Sequence, residues 1–158
     1  MSYEKFLRDK LIKKQIPDFK QIGYQLKRAQ KDLKTAESNL SIDLTWVFAI
    51  AYHAMMRASK ALMYSKGYLP TAKRSHKTIV EFAKLSVGSE YENLIGRFNR
   101  MRRQRHDFIY DSKNHITLHE AKLSIETAKK LIEEIIVLVV KENPEKDLFR
   151  QWKNTKMP

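Results

Sequence analysis

The side chains best suited to chemistry lie in one short stretch, Arg97 to Asp111, RFNRMRRQRHDFIYD. Five arginines (Arg97, Arg100, Arg102, Arg103 and Arg105) fall within nine residues, and His106 and Tyr110 follow closely. An arginine fork suits a phosphate, because its planar donors can meet two oxygens at once. An imidazole that titrates near neutrality suits proton transfer. Together they offer a route to RNA cleavage without a metal. That reaction needs the 2′-OH deprotonated, the phosphate charge stabilised and the leaving oxygen protonated.

The helical pattern separates these arginines. An apolar stripe of Leu94, Ile95, Phe98, Met101 and Phe108 runs through them. At helical spacing Arg105 points along that stripe, Arg100 and Arg103 point away, and Arg102 lies at its margin. A solvated basic face would not place an arginine at position 105. The competing account is structural: Arg105 buries its stem and pairs with an acid such as Asp107, Asp111 or Glu120.

Other chemistries lack their signatures. The chain has no glycine-rich phosphate loop, no HExxH and no GxSxG. The histidines (His53, His76, His106, His115 and His119) show no metal-site spacing, so neither a metal nor a cofactor is expected. His53, inside an apolar helix, reads as a hydrogen-bonded core residue. Without cysteine, disulfides and thiolate metal sites are excluded.

A formal charge of +13 favours a polyanionic partner such as RNA. Between Arg57 and Lys77 there are six basic residues and no acid, a second positive region that is either a solvated loop or a nucleic-acid contact. Arg102, Arg97, Arg57 and Lys60 are the candidate nucleic-acid-binding residues. The N-terminus lacks the apolar core of a secretory signal. The most apolar run, Leu131 to Val140, carries Glu133 and Glu134 and is too short to span a bilayer. A cytoplasmic protein without a membrane partner is the expectation.

The elements that must position these residues are helical. Tyr3 to Gln15 reads as a short helix, ended by Pro17, with Asp18 able to cap the next. Phe19, Ile22, Leu26, Ala29, Leu33, Ala36 and Leu40 recur at steps of three and four, the seam of a bundle helix. The helix from about Asp43 to Lys66 is apolar nearly all round, which marks it as the most buried, and Gly67 ends it. A shorter helix spans about Ser75 to Leu85. Ser89 with Glu92 predicts a capping box that opens the arginine helix, and Asp111 to Asn114 is turn chemistry that closes it. Thr117 with Glu120 predicts another box, before a last helix with Leu118, Ala121, Ile125, Ala128, Ile132, Ile135 and Val139 on one face. No stretch alternates with period two. The fold class is all-α, an up-and-down bundle of four to five main helices with short terminal ones. It forms one domain over residues 1–143 with its core at 18–142, and residues 144–158 are a basic tail that can dock through one short helix.

At these residues the chain resembles the HEPN family (higher eukaryotes and prokaryotes nucleotide-binding). The motif RxxRHDFIYD, followed by IT-LHEAKLSIETAKKLIEEI, is similar to the family's arginine, its polar follower and a short spacer ending in histidine or tyrosine. AYHAMMRASKALMYSKGYLP and SHKTIVEFA resemble its central helix, glycine exit and histidine-bearing next helix. The resemblance covers about Phe19 to Glu142. It implies a bundle that forms a homodimer with two motifs facing across a cleft, and places Arg105, His106 and Tyr110 as catalytic residues. Members of the family are metal-independent ribonucleases of toxin or defence type, or bind RNA or a nucleotide, or partner a small nucleotidyltransferase. Ribonuclease members usually carry histidine where this chain has Tyr110, so the choice between enzyme and non-catalytic module turns on that residue.

Overall fold

The computed structural model describes residues 2–111 and 115–143. The turn expected at Ser112 to Asn114 and the tail after Asn143 lie outside the described residues. Six α-helices carry the fold: α1 (Tyr3–Arg8), α2 (Phe19–Ser38), α3 (Leu44–Ser65), α4 (Ser75–Val87), α5 (Glu92–Tyr110) and α6 (Leu118–Glu142). The all-α bundle read from the periodicity is the fold observed.

Helix α3 is the axis, and α2, α4, α5 and α6 all pack against it. Its apolar circumference explains this, since Phe48, Tyr52, Met55, Leu62 and Met63 are all buried and would be costly to leave in water. Asp18 caps α2 through the amides of Lys20 and Gln21, and Asp43 caps α3 through Trp46. Gly67, at φ 84°, takes the left-handed conformation that ends α3. The seams of α2 and α6 face the core as the steps of three and four require, with Ile22, Leu26 and Ala29 against Ile125, Ile132 and Ile135 in one cluster. Leu118 departs from that seam: in the first turn of α6 it stays 49 % exposed.

Two local expectations are overturned. The N-terminal helix stops at Arg8, not Gln15, because Lys10 turns left-handed at φ 54° and the chain then extends. Ile12–Lys14 forms β1, antiparallel to β2 (Tyr68–Pro70), with Lys13 opposite Leu69. The Gln15 amide donates to the Gly67 carbonyl and the Thr71 amide to Leu11, which extends the ribbon at both ends. Strands of three residues are too short to leave a period in the sequence, and the pairing that stabilises them is long-range.

The Ser89–Glu92 capping box does not form either. A 3-10 turn, Ser89–Tyr91, precedes α5, and no side chain caps either N-terminus. The Glu92 carboxylate instead lies 3.6 Å from Lys84, and the neighbouring Tyr91 hydroxyl donates to Glu134 at 2.7 Å. At α6 the expected box is complete. The Glu120 amide donates to Thr117 Oγ1 at 3.1 Å and the Thr117 amide to Glu120 Oε2 at 2.7 Å.

Candidate functional site

Helix α5 buries Leu94, Ile95, Phe98 and Met101, and this anchoring sets the direction of the residues one and two turns later. Phe108 continues the contact, edge-on to Phe48 of α3 with ring centres 5.3 Å apart. Between these apolar anchors the half-buried Arg105 reaches back over α3, its guanidinium carbon 5.6 Å from the centre of the Tyr52 ring. A cation over an aromatic face is held by the ring's quadrupole. Among the described residues Arg105 has no carboxylate partner. Neither Asp107 nor Glu120 forms an ion pair with it.

Tyr52 ties this arginine to α4. The Tyr52 hydroxyl and His76 Nδ1 are 2.7 Å apart, and the two rings lie nearly parallel, 6.0 Å between centres. His76 stands in the first turn of α4, which the chain enters through Arg74 in a left-handed conformation at φ 50°. Burial pushes the Tyr52 phenol up to about 12, against the opposing pull of the Arg105 and Arg102 charges. Burial also holds the His76 imidazole below its ordinary range, helped by the positive charge of Arg105, by repulsion from His53 whenever that ring is protonated, and by Arg102. Both groups are therefore neutral at pH 7. The phenol and Nδ1 then share one neutral hydrogen bond, whose direction follows the imidazole tautomer.

His53 is not the core residue its neighbours in sequence implied. It is exposed, on the line Trp46–His53–Lys60 where α3 faces solvent, and its ring meets Tyr52 edge-on at 5.7 Å. Partial burial, then Arg105 and Arg57, lower its pKa, with Asp32 pulling the other way. An aromatic helix can carry one outward polar stripe without losing its buried faces, and His53 lies on that stripe.

The other candidates fall elsewhere. His106 and Tyr110 sit together on the outer flank of α5, ring centres 4.8 Å apart, and Tyr110 is 77 % exposed. Arg102 is half-buried, its Nε donating to Asn99 Oδ1 at 2.9 Å. Arg97 lines a separate groove with Lys130, Glu133 and Glu134. Arg57 is engaged: Nε donates to Asp32 Oδ2 at 3.2 Å and a terminal nitrogen to Gln25 Oε1 at 2.8 Å. Arg28 holds the other oxygen of Asp32 at 2.9 Å. Lys60 is exposed. Arg105 and Arg102 thus converge with Tyr52, His53 and His76, Arg57 reaches the edge of that cluster at His53 while bonded to Asp32, and Arg97 and the His106–Tyr110 pair do not join it. Tyr52 and His76 carried no motif. Their signal was positional: Tyr52-His53 is a polar pair inside an otherwise apolar run, and His76 opens a helix packed on it. Among the described residues no group of three or more His, Cys, Asp or Glu could hold a metal ion, and no helix is long and apolar enough to cross a membrane.

A helical bundle with an arginine from one helix seated on an aromatic ring of its central helix is a protein built around a cationic seat. The family model for the HEPN domain matches residues 23–142, well over half of the chain, and the chain belongs to the HEPN domain family. No curated protein matches it. The family is nucleotide- and RNA-related, and its members are often ribonucleases and often dimeric.

Proposed function

We propose that this HEPN protein seats a backbone phosphate of RNA on Arg105, and that two copies facing across a cleft act as a metal-independent endoribonuclease of toxin or defence type. The observation that carries the proposal is Arg105 itself, a guanidinium held over Tyr52 without a carboxylate among the described residues. A fixed cation favours an anion, and a guanidinium favours phosphate.

In this scheme Arg105 offsets the charge that builds on the phosphoryl oxygens. A neutral imidazole takes the proton of the 2′-OH as that oxygen bonds to phosphorus, and His53 is exposed beside the seat in that state. The bond from phosphorus to O5′ breaks, a protonated group of the second copy supplies the proton, and a 2′,3′-cyclic phosphate and a 5′-OH remain. One set of groups is thin equipment; a two-fold pair supplies both acid and base.

A second reading is favoured by one observation, the 77 % exposure of Tyr110. An exposed phenol beside His106 suits recognition or modification by a partner enzyme, in a non-catalytic module that serves a small nucleotidyltransferase. An RNA cleavage assay in EDTA separates the two, with wild type beside Arg105→Ala, His53→Ala and His106→Ala. Cleavage lost in Arg105→Ala and reduced in His53→Ala supports the ribonuclease. RNA left intact by the wild type, together with a stable complex or a modified Tyr110, supports the module.

A further inference from the structure

Helices α4 and α5 run antiparallel beside the Arg105 seat and leave a groove of about 280 Å³ between them. Its lining follows helical spacing: Lys77, Val80 and Lys84 from α4 face Ile95, Gly96 and Arg102 from α5. Val80 and Ile95 are nearly fully buried and make the floor apolar. Lys77, Lys84 and Arg102 stand around it together with Glu81 and Glu92.

Gly96 is the informative residue. A glycine inside a helix costs roughly 1 kcal/mol relative to alanine, so its presence calls for a tight contact or a left-handed backbone. Neither applies. Gly96 is not among the positive-φ residues, and a Cβ built on it would meet nothing within 4 Å. Gly23 of α2 is equally open but does not line this groove. Gly96 is exposed at the rim of the groove, where the absence of a side chain leaves its mouth open.

We propose that this groove is a nucleoside subsite, which takes the RNA residue next to the phosphate seated on Arg105. The proposal rests on the RNA-binding reading above and extends it. The volume suits one nucleoside rather than a duplex. The apolar floor desolvates a base face, and the guanidinium plane of Arg102, fixed by its bond to Asn99, offers a stacking surface. Lys77 and Lys84 reach the flanking phosphate. Their pairings to Glu81 at 3.7 Å and Glu92 at 3.6 Å are long, exposed contacts of little energetic weight, and the two carboxylates are acceptors for the exocyclic amino group of a base. Arg102 belongs to groove and seat alike, since its charge also reaches Tyr52 and His76, so one strand can occupy both.

The test is fluorescence anisotropy with a labelled single-stranded octaribonucleotide at low salt, on the full chain. Gly96→Leu fills the groove at a helical position where leucine is well tolerated, and the expected result is affinity weakened by about tenfold, with Gly96→Ala close to wild type. Lys84→Glu, at the end of the groove away from Arg105, is expected to weaken binding more than Lys31→Glu on the exposed face of α2, which gives a second readout independent of packing. Gly96→Leu and Lys84→Glu both binding like their controls, while Arg105→Ala loses binding, overturns the subsite and leaves the phosphate seat standing. A wild type that binds no RNA overturns both.

Discussion

The guanidinium of Arg105 lies 5.6 Å above the centre of the Tyr52 ring, and that contact joins the two sequence segments that matter most to this protein. It holds the cation over the face of the ring. Arg105→Ala is therefore expected to lower RNA affinity at least tenfold at about 50 mM salt and to reduce the salt slope by about one unit. Arg105→Lys keeps the charge but not the fork, and an intermediate loss is expected. Titrations at several salt concentrations check both. An Arg105→Ala protein that binds as tightly as wild type would remove the seat from the scheme.

Stability should depend on pH through the Tyr52–His76 pair, in opposite directions at the two ends of the scale. His76 is held below its ordinary 6.5 in the fold, with Arg105, Arg102 and His53 facing it. As pH falls below about 6.5 the unfolded chain takes up a proton that the folded chain refuses, so stability falls. Tyr52 is pushed up to about 12. Its contribution is fully present below about pH 10 and is lost as pH rises toward 12, where the unfolded chain ionises first. Urea midpoints for wild type, His76→Gln and Tyr52→Phe across pH 5–11 give the comparison. A shallower acid slope in the first variant and a shallower alkaline slope in the second are expected.

Arg57 is expected to behave as a structural residue. Asp32 is nearly buried, its side chain 12 % exposed between Arg28 and Arg57. Removing Arg57 leaves that carboxylate with one partner, and the partial exposure of both arginines limits the cost to about 1–2 kcal/mol. Arg57→Ala should shift the urea midpoint down while RNA affinity stays within about twofold of wild type. A tenfold loss of affinity at unchanged stability would return Arg57 to the binding surface.

The two capping sequences make a matched pair. Thr117→Ala breaks a complete box and is expected to cost about 1 kcal/mol, a fall in melting temperature of about 2–4 °C for a chain of this size. Ser89→Ala removes a hydroxyl that caps nothing, and a change within about 0.5 kcal/mol is expected. Thermal melts followed by circular dichroism decide it.

The bundle was legible because its information is local. The steps of three and four in α2 and α6 reflect a buried face repeated along one helix, and such a face needs no knowledge of its partner. The ribbon and the site were not legible in this way. Ile12 meets Pro70 across two entire helices, α2 and α3, and Tyr52 meets His76 at a separation of 24 residues. The stripe did single out Arg105, since a helix carries direction as well as period. It was silent on which groups of other helices stand around that arginine, and adjacency in sequence favoured His106, which the helical turn carries to the outer flank with Tyr110.

The β1–β2 ribbon also bears on how this protein comes apart. It ties the first residues to the connection between α3 and α4, and α1 completes the hold: the Tyr3 ring stacks on Phe82 at 4.7 Å, and its hydroxyl bonds to Ser86 of α4 at 3.1 Å. The family match begins at residue 23, so α1 and β1 lie outside it while α1 grips the helix that carries His76. A protein trimmed to residues 23–142 should retain its helicity yet exchange the amide hydrogens of α4 far faster than those of α3.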